Sequence, residues 1–234
     1  MPTNHEIRSL TWETIKLAVM IPWGLDMIWR RTWETYDQLE KPPQCKLFFG
    51  TGRTPARRHE IGCELTLEWG ASHILILGGD QVYPEADMIR RLVKWLEYSD
   101  LDGWLKRKKV VNALVPIRGH QPGQGTRPFQ TIGMRLHPDC NEMVPITRDD
   151  APIVKCELIG TGVMLFEADV LNSLKKPWFD DKNQKGTNDT KVMQDVAFMQ
   201  RLNESGAQVW VDTQIIVKHL CVLESDDSFV WRFE

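Results

Sequence analysis

Residues 73–84, HILILGGDQVYP, join a short apolar run to two glycines, a single carboxylate and a proline. A run of about four to eight apolar residues that ends in turn-forming residues is typical of a strand buried in a sheet. Asp80 stands at the tip of this predicted strand. A carboxylate just before a helix ordinarily stabilises the helix N-terminus. Asp80 is therefore either such a cap or a residue held at the strand end to bind a ligand.

Strand and helix patterns alternate around this stretch. The predicted elements are strands at 15–22, 45–50 and 73–77, and helices at 25–39, at 54–70 and from Pro84 onward. Thr54 is the expected N-cap of the helix at 54–70, with Pro55 in the first helical position and Gly70 beyond its end. This alternation predicts an α/β fold, with helices on both faces of a mostly parallel central sheet. Ligands of such sheets bind at the carboxyl ends of the strands, which is where Asp80 lies.

The second half of the chain has longer polar segments. A predicted strand at 110–117 precedes the polar, Gly/Pro-rich segment 118–150. In compact domains a loop of that length usually belongs to a functional lid or to disorder. The further predicted features are a strand near 153–158, the turn Gly160-Thr161-Gly162 followed by the strand VMLF, a short helix that ends near Pro177-Trp178-Phe179, a mobile loop at 181–189, a helix at 191–205, and two short strands, QVWVD and QIIVKHL.

The composition is that of a globular protein with no nucleic-acid or membrane signal. The 234 residues include 42% hydrophobic and 26% charged side chains, and the net charge is −3. The basic run at 106–109 is short and favours a solvated loop over a nucleic-acid groove. No stretch approaches the ~20 apolar residues of a membrane span, and the N-terminal residues lack the apolar core of a signal peptide.

The cysteines indicate a compartment. Five are present, an odd number, and no two of them form a C-x-x-C pair. Free thiols of this kind are typical of a reducing environment. The sequence therefore predicts a cytoplasmic protein without a zinc cluster.

Several segments, taken in chain order, give the sequence a family resemblance. They are ASHILILGGDQVYP, ELIGTGVMLFEADVL, KPWF, QDVAFMQRLNESGAQVWVD and IIVKHL. Together they resemble the GT-A glycosyltransferases, in particular compact, family-2-like enzymes of bacteria, archaea and phages, and the likeness runs over roughly residues 15–221. The resemblance implies a GT-A, Rossmann-like three-layer sandwich. It also implies a transferase that moves a sugar from a nucleotide-diphosphate sugar to an acceptor hydroxyl.

The resemblance implies a divalent-metal site as well. Asp80 matches the second Asp of the family's Asp-x-Asp metal motif, and His219 matches the histidine that closes the metal site. A bound cation neutralises the charge that leaves with the diphosphate. Mg²⁺ and Mn²⁺ prefer oxygen ligands, and Mn²⁺ tolerates an added imidazole, so Mn²⁺ or Mg²⁺ is the implied cofactor. Without the family pattern, a lone histidine after an apolar strand is more often a packed core residue.

The metal motif departs from the family pattern at Gly78, which stands where the motif has its first Asp. The glycines leave the strand end open at that point. The departure implies weaker metal binding or a shifted nucleotide. Nearby Gln81, Glu85 and Asp87 are the residues that could compensate, although Asp87 is expected to face solvent.

The second departure is Gln194-Asp195, which replaces the family's usual Glu-Asp pair. Asp195 keeps the carboxylate that takes the proton from the acceptor hydroxyl in inverting members, so we expect it to be the catalytic base if the reaction inverts. The sequence leaves inversion and retention open. A carboxylate near the start of a helix also has the ordinary role of stabilising that helix terminus.

Other site residues follow from their place in the family pattern. The predicted nucleotide-binding residues are Pro22, Trp23, Arg57, Arg58, Gly79 and Gln81. The competing interpretation of the two arginines is an exposed helix face with local pairs to glutamates. The predicted acceptor-binding residues are Gly160, Thr161, Gly162 and Trp178, with segment 118–150 as a candidate lid. The implied acceptor is a glycan, a lipid or a small molecule.

These features predict one domain over residues 1–234. It comprises a nucleotide-binding half at 15–98, an acceptor and metal half at 110–221, and a tail at 222–234. The tail sequence FVWRFE is expected to fray, and its alternative is docking on an acceptor or on a second copy, which would make a homodimer.

Two other functions remain open at the level of sequence. The segment GTGRTPARR, residues 50–58, resembles the glycine-rich triphosphate-binding signature of sugar-phosphate nucleotidyltransferases. It follows the second predicted strand instead of the first, however, and lacks that signature's later lysine. The other alternative is a degenerate nucleotide-sugar binding protein without turnover, which Gly78 and Gln194 motivate.

Overall fold

The computed structural model describes residues 12–24, 30–97, 110–116, 133–180, 194–225 and 228–233. Strands and helices alternate through the first two of these ranges, as the sequence predicts. The elements in chain order are β1 (Lys16–Pro22), α1 (Arg30–Gln38), β2 (Gln44–Gly50), α2 (Pro55–Glu68), β3 (His73–Leu77), β4 (Gln81–Val82), α3 (Met88–Glu97), β5 (Val110–Leu114), β6 (Met134–Leu136), β7 (Met143–Pro145), β8 (Ile153–Lys155), β9 (Val163–Glu167), α4 (Asp169–Ser173), α5 (Gln194–Glu204), β10 (Val209–Ile216), β11 (Lys218–Ser225) and β12 (Ser228–Phe233).

A seven-stranded sheet forms the centre of the fold, in the order β2-β1-β3-β9-β5-β10-β8. β1 pairs in parallel with both β2 and β3, and β5 pairs in parallel with β10. β9 runs antiparallel to its neighbours β3 and β5, and β8 runs antiparallel to β10. The mostly parallel sheet confirms the predicted α/β class.

Two apolar cores lie on the two faces of this sheet, because successive side chains of a strand point to opposite faces. Leu17 and Val19 of β1 belong to the core that α1 and α3 cover. Ala18 and Met20, the alternate residues of the same strand, belong to the core that α2, α4 and α5 cover. The result is three layers, with the sheet between two layers of helices.

The helix α2 has the termini that its sequence predicts. The side chain of Thr54 accepts a hydrogen bond from the backbone N–H of Arg57 at 3.2 Å, and Pro55 occupies the first turn. Gly70, just past the helix end, has φ +74°, a left-handed conformation that glycine adopts without steric cost. Local signals of this kind need no distant partner, which is why they predict the helix well.

The helix predicted from Pro84 begins later, at Met88. Gln81 and Val82 form β4 instead, paired antiparallel with His219 and Lys218 of β11. Residues 83–87 lead from this strand into the helix. The prediction was wrong because this pairing involves a segment far along the chain and leaves no local pattern.

The C-terminal strands also differ from the prediction. QVWVD and the start of QIIVKHL form one strand, β10, with an irregularity in its pairing between Asp212 and Ile216. The expected fraying of FVWRFE is wrong, since β12 pairs along β11 in a small sheet that also includes β4. Part of segment 118–150 forms the hairpin of β6 and β7. The loop predicted at 181–189, like the first residues of the helix predicted at 191–205, lies outside the described residues.

Asp212 is the buried charge at the irregularity of β10. It is 1% exposed, and its carboxylate accepts hydrogen bonds from Arg91 at 3.1 Å, from the indole of Trp95 at 2.8 Å and from the backbone of Gln214 at 2.9 Å. Arg91 and Trp95 belong to α3. These contacts tie α3 to the far half of the sheet and satisfy a carboxylate that would otherwise be costly to bury.

In the ranges that the structure describes, no helix is long and apolar enough to cross a membrane.

Candidate functional site

Asp80 and His219 come together where β4 meets β11. The backbone N–H of Leu220 donates to the carbonyl of Asp80 at 2.8 Å, and His219 pairs with Gln81 in the strand register. Nε2 of His219 lies 3.9 Å from Oδ1 of Asp80, with the two side chains 13% and 15% exposed. The fold thus brings together the two residues that the family pattern assigns to the metal.

The imidazole of His219 is oriented as a metal ligand requires. Its Nδ1 lies 2.6 Å from the carbonyl oxygen of Pro116, and since a carbonyl can only accept, Nδ1 carries the hydrogen. In the neutral ring, Nε2 therefore keeps its lone pair on the side of Asp80. Metal-binding histidines commonly donate their other N–H to a backbone carbonyl in this way.

The donor set fits a hard divalent cation that keeps part of its shell for other ligands. Asp80 supplies a carboxylate oxygen and His219 an imidazole nitrogen, a combination that suits Mn²⁺ in particular. Within the described ranges, no group of three or more His, Cys, Asp or Glu side chains is placed to hold a metal ion. Such a cation would need water or phosphate oxygens to complete its coordination.

The side chain of Gln81 fills the space beside the strand end that the sequence predicted to be open. It is 1% exposed, and its Nε2 lies 3.4 Å from Nε2 of His219. The amide fits there because Gly78 and Gly162 have no side chains: a Cβ on Gly78 would lie 2.6 Å from Gln81 Nε2, and a Cβ on Gly162 would clash with the same atom. Among the described residues, Oε1 of Gln81 has no hydrogen-bond partner.

Gln81 is thus the residue that lies in the site, out of the three that could compensate for Gly78. Glu85 forms an ion pair with Arg91 at 2.8 Å. Asp87 is exposed, as expected. A buried amide therefore occupies the space that a side chain at position 78 would need, and its nitrogen is the atom that faces His219.

The end of β3 is joined directly to the glycine turn before β9. The N–H of Gly78 donates to the carbonyl of Gly162 at 2.7 Å, and the hydroxyl of Tyr83 donates to the carbonyl of Gly78 at 2.8 Å. This contact places Thr161, the neighbour of Gly162, next to the predicted metal site. The predicted nucleotide-binding and acceptor halves of the chain are therefore joined by the contact between Gly78 and Gly162.

Thr161 connects this region to Asp195, in the first turn of α5. Its hydroxyl donates to Oδ1 of Asp195 at 2.7 Å. Thr161 is 3% exposed, whereas Asp195 is half-buried. One carboxylate oxygen of Asp195 is thus held by the protein while the group keeps access to solvent, as a general base requires.

His59 is a polar residue of this site that the sequence analysis missed. Its Nε2 lies 3.2 Å from Oγ1 of Thr161, and its Nδ1 lies 2.9 Å from the carbonyl of Pro55. Burial lowers the pKa of His59, partly offset by the Pro55 hydrogen bond and the charge of Asp195, while Arg58 lowers it further. A polar residue on the buried face of α2, between the buried Ala56 and Cys63, was the signal that could have identified it.

Four of the six predicted nucleotide-binding residues lie at or just beyond the carboxyl ends of β1 and β3. Pro22 ends β1, and the N–H of Trp23 donates to the carbonyl of Gly50 at 2.7 Å. The indole of Trp23 meets Phe49 edge-on, with ring centroids 4.9 Å apart. A Cβ on Gly79 would lie 3.5 Å from Ile21, near the end of β1. Gln81 lies further on, beside His219.

The two arginines differ in their surroundings. Nε of Arg58 donates to the carbonyl of Gly52 at 2.9 Å, and its guanidinium lies against Gly24, where a Cβ would clash with it. Arg57 is exposed. Arg58 is therefore braced between the segments that follow β1 and β2.

Trp178 has a packing role. It is 3% exposed, and its indole N–H donates to the carbonyl of Leu171 at 3.0 Å. The backbone N–H groups of Trp178 and Phe179 donate to the buried carboxylate of Glu60 at 2.9 and 3.1 Å. A ring packed in the core presents no face to an acceptor, so this placement argues against the predicted acceptor contact. Gly160, also predicted for the acceptor, is buried beside Thr161.

No family model matches the sequence, and no curated protein matches it. Solved structures do resemble the fold. The crystal structure of A197 from STIV has a TM-score of 0.51 and 14% identity, covering 93% of this chain and 94% of that chain. Mannose-1-phosphate geranyltransferase from Thermus thermophilus has a TM-score of 0.45 and 15% identity over 93% of this chain and 76% of that chain. CMP:2-keto-3-deoxy-manno-octonic acid synthetase complexed with CTP has a TM-score of 0.42 and 12% identity, over 84% of this chain and 88% of that chain. At these identities the likeness to A197 concerns the fold alone.

Proposed function

We propose that this chain is a glycosyltransferase that moves a sugar from a nucleotide-diphosphate sugar to an acceptor hydroxyl and depends on a divalent cation. One observation carries the proposal. The Gly78–Gly162 contact, at 2.7 Å, joins the Asp80 and His219 pair to the turn whose Thr161 holds Asp195. The candidate metal pair and the candidate base are thus joined by contacts at the end of β3, which supports a single site.

On the donor side, Asp80 and His219 would hold Mn²⁺ or Mg²⁺. When bound, the cation supplies Lewis-acid stabilisation of the diphosphate leaving group. Arg58, braced by its hydrogen bond to Gly52, is placed to pair with phosphate oxygens, since a guanidinium can donate two parallel hydrogen bonds to them. Pro22 and Trp23 at the end of β1 form a wall for the nucleobase.

On the acceptor side, Asp195 takes the proton from the attacking hydroxyl in an inverting reaction. Thr161 holds one carboxylate oxygen at 2.7 Å, which fixes the carboxylate and leaves its second oxygen as the one proposed to take the proton. General-base catalysis needs this kind of fixed geometry. The acceptor is a glycan, a lipid or a small molecule that the residues around Gly160 and Gly162 would admit.

The test begins with binding. The thermal unfolding of the chain is followed with each nucleoside diphosphate, with and without Mn²⁺, because a ligand that binds the native state raises the melting temperature. We expect one diphosphate to stabilise the chain, and to do so more strongly with Mn²⁺. Absence of any stabilisation by any diphosphate would contradict the proposal.

The second stage measures turnover of the matching nucleotide-diphosphate sugars. We expect release of the nucleoside diphosphate that stops in Asp80→Ala and in Asp195→Asn, while Asp195→Asn still binds the nucleotide. Tight binding with no hydrolysis or transfer of any donor would instead indicate a nucleotide-sugar binding protein. Release of pyrophosphate from a nucleoside triphosphate and a sugar phosphate would indicate a nucleotidyltransferase.

A further inference from the structure

We infer that His59 is a positioning residue for Asp195, acting through the hydroxyl of Thr161, and that the three side chains take up one proton as a unit. This inference rests on the proposed role of Asp195 as the base of the transferase. His59 lies on α2, Thr161 precedes β9 and Asp195 lies on α5. The fold therefore assembles the group from three separate elements.

The hydrogens available to these contacts can be counted. Oγ1 of Thr161 lies 2.7 Å from Oδ1 of Asp195 and 3.2 Å from Nε2 of His59. Nδ1 of His59 faces the carbonyl of Pro55 at 2.9 Å, so Nδ1 carries the ring hydrogen and the neutral ring has a bare Nε2. The single hydrogen of the Thr161 hydroxyl then faces two acceptors. When Asp195 is ionised, one of the two contacts lacks a hydrogen.

The contact that lacks a hydrogen is the one to His59. A hydroxyl donates more strongly to a charged carboxylate than to a neutral ring nitrogen, and the shorter of the two distances is the one to Asp195. Nε2 of His59 is then left facing an oxygen lone pair. His59 and Thr161 are 5% and 3% exposed, so solvent has little access to supply the missing donor.

The surroundings of His59 keep its ring neutral. Phe179 packs over the imidazole with ring centroids 4.8 Å apart, and Arg58 is the neighbouring cation, opposed by the charge of Asp195. Burial, the largest effect, lowers the pKa of His59. The neutral ring therefore acts as a hydrogen-bond acceptor through Nε2, and it does not itself carry a positive charge.

Proton uptake by Asp195 completes the set of hydrogen bonds. The acceptor oxygen bonds to the sugar carbon as the bond to the diphosphate breaks, and its O–H bond breaks as a new O–H bond forms on the second carboxylate oxygen of Asp195. A half-turn of the carboxyl group brings this O–H to Oγ1 of Thr161, and the Thr161 hydroxyl turns to donate to Nε2 of His59. Each contact then holds one hydrogen. The proton leaves to solvent by the reverse movement, and His59 and Thr161 end unchanged.

The inference is tested by ¹⁵N NMR of the full chain labelled at histidine, at one pH near neutrality and with no nucleotide added. The Nε2 resonance of His59 is identified by its loss in His59→Gln. In the wild type we expect it at the position of an imidazole nitrogen that accepts no hydrogen bond. In Asp195→Asn it should move to the hydrogen-bonded position, because the side-chain amide supplies the hydrogen that a protonated carboxyl would supply.

Thr161 provides the matched pair of variants. In the Asp195→Asn background, Thr161→Val removes the hydroxyl and should abolish this difference from the wild type, whereas Thr161→Ser keeps the hydroxyl and should preserve it. An Nε2 resonance at the same position in the wild type and in Asp195→Asn would overturn the inference. The measurement needs no turnover, so a difference seen in a chain that transfers no sugar would refute the transferase while the coupling between Asp195 and His59 stands.

Turnover provides a second readout. The amide of His59→Gln can supply the hydrogen that the wild-type site lacks, so proton uptake by Asp195 no longer completes a missing hydrogen bond. We expect kcat to fall in this variant, with KM for the donor unchanged. A kcat equal to that of the wild type would show that His59 does not act on Asp195.

Discussion

Gln81 occupies the space beside Gly78, where a Cβ would lie 2.6 Å from the Gln81 amide nitrogen. Gly78, which departs from the GT-A metal motif, and Gln81, which fills the space beside it, are thus matched in size. Gly78 is required for the present packing of Gln81, and Gln81 prevents the simple return of a carboxylate at position 78.

Gly78→Asp should therefore fail to strengthen Mn²⁺ binding. The new side chain must displace the Gln81 amide, and overpacking of this kind typically costs about 1–3 kcal/mol of stability. The double variant Gly78→Asp with Gln81→Ser makes room and should bind Mn²⁺ more tightly than the wild type. Calorimetric titration with Mn²⁺ and urea unfolding measure the two effects. Gly79→Ala is the control, because its Cβ meets only Ile21, at 3.5 Å.

Mn²⁺ should raise the stability of the wild type through Asp80 and His219. At about 100 times the Kd, a ligand specific for the native state adds about 2.7 kcal/mol to the free energy of unfolding. We expect Asp80→Asn and His219→Gln to lose most of this increment. Asp87→Asn changes an exposed carboxylate of the same segment and should keep it. Equal Mn²⁺ responses in all three variants would place the metal elsewhere.

The buried carboxylate of Glu60 should be a large contributor to stability. It accepts the backbone N–H groups of Trp178 and Phe179 at 2.9 and 3.1 Å, and each N–H left unsatisfied costs on the order of 1–3 kcal/mol. Glu60→Ala should lose both contacts, and Glu60→Gln, which keeps an acceptor oxygen, should lose less. Urea unfolding measures the difference.

Glu64 offers the control for Glu60 on the same helix. Its ion pair with Lys176, at 2.7 Å, is partly exposed, and exposed pairs contribute roughly 0–1 kcal/mol. Glu64→Ala should therefore cost far less than Glu60→Ala. If the two variants unfold at the same urea concentration, Glu60 does not hold the turn at 177–179 in the way described.

His59 predicts a pH dependence of stability with a defined sign. Burial lowers its pKa in the folded chain, whereas in the unfolded chain the pKa stays near its ordinary value of about 6.5. Between the two values the unfolded chain binds more protons, so the free energy of unfolding falls as the pH drops below about 6.5. His59→Gln should show a smaller slope between about pH 5 and 7 than the wild type. Unchanged slopes would rule out a buried neutral His59.

Breaking the Arg91–Asp212 pair should destabilise the chain strongly. Asp212 is 1% exposed on its side chain, and removal of one partner from a buried pair costs about 3–5 kcal/mol. The cost of Arg91→Ala should lie toward the lower end of that range, because Trp95 and Gln214 still donate hydrogen bonds to the carboxylate. The double variant Arg91→Met with Asp212→Asn removes the buried charge and should recover part of the loss in urea unfolding.

Local patterns predicted the first half of the fold well. β3 coincides with the predicted strand at 73–77, and α2 begins at the predicted cap Thr54. The information for these elements lies within a few residues of sequence, in the apolar run and in the residues at the helix ends. The order of the strands in the sheet was not predicted, because the pattern of a single strand does not show which strands lie beside it.

The site was predicted less completely, because its contacts are between distant segments. Asp80, His219, Thr161 and Asp195 were all identified from the family pattern, yet the contacts that join them follow from the pairing of β4 with β11 and of β3 with β9. His59 on α2 contacts Thr161, just before β9. No spacing of residues in the sequence predicts this contact. Trp178 was assigned to the acceptor because an aromatic residue looks the same in a sequence whether it is exposed or buried.

The position of β11 has a consequence for truncated chains. His219 is held against Asp80 by a strand that pairs with β4 through Lys218 and His219 and continues to Ser225. A chain that ends before this strand still contains every strand of the central sheet, since β10 ends at Ile216, but it lacks His219. Under the proposed function, such a chain should bind the cation more weakly than the full chain, because only Asp80 remains of the candidate metal pair.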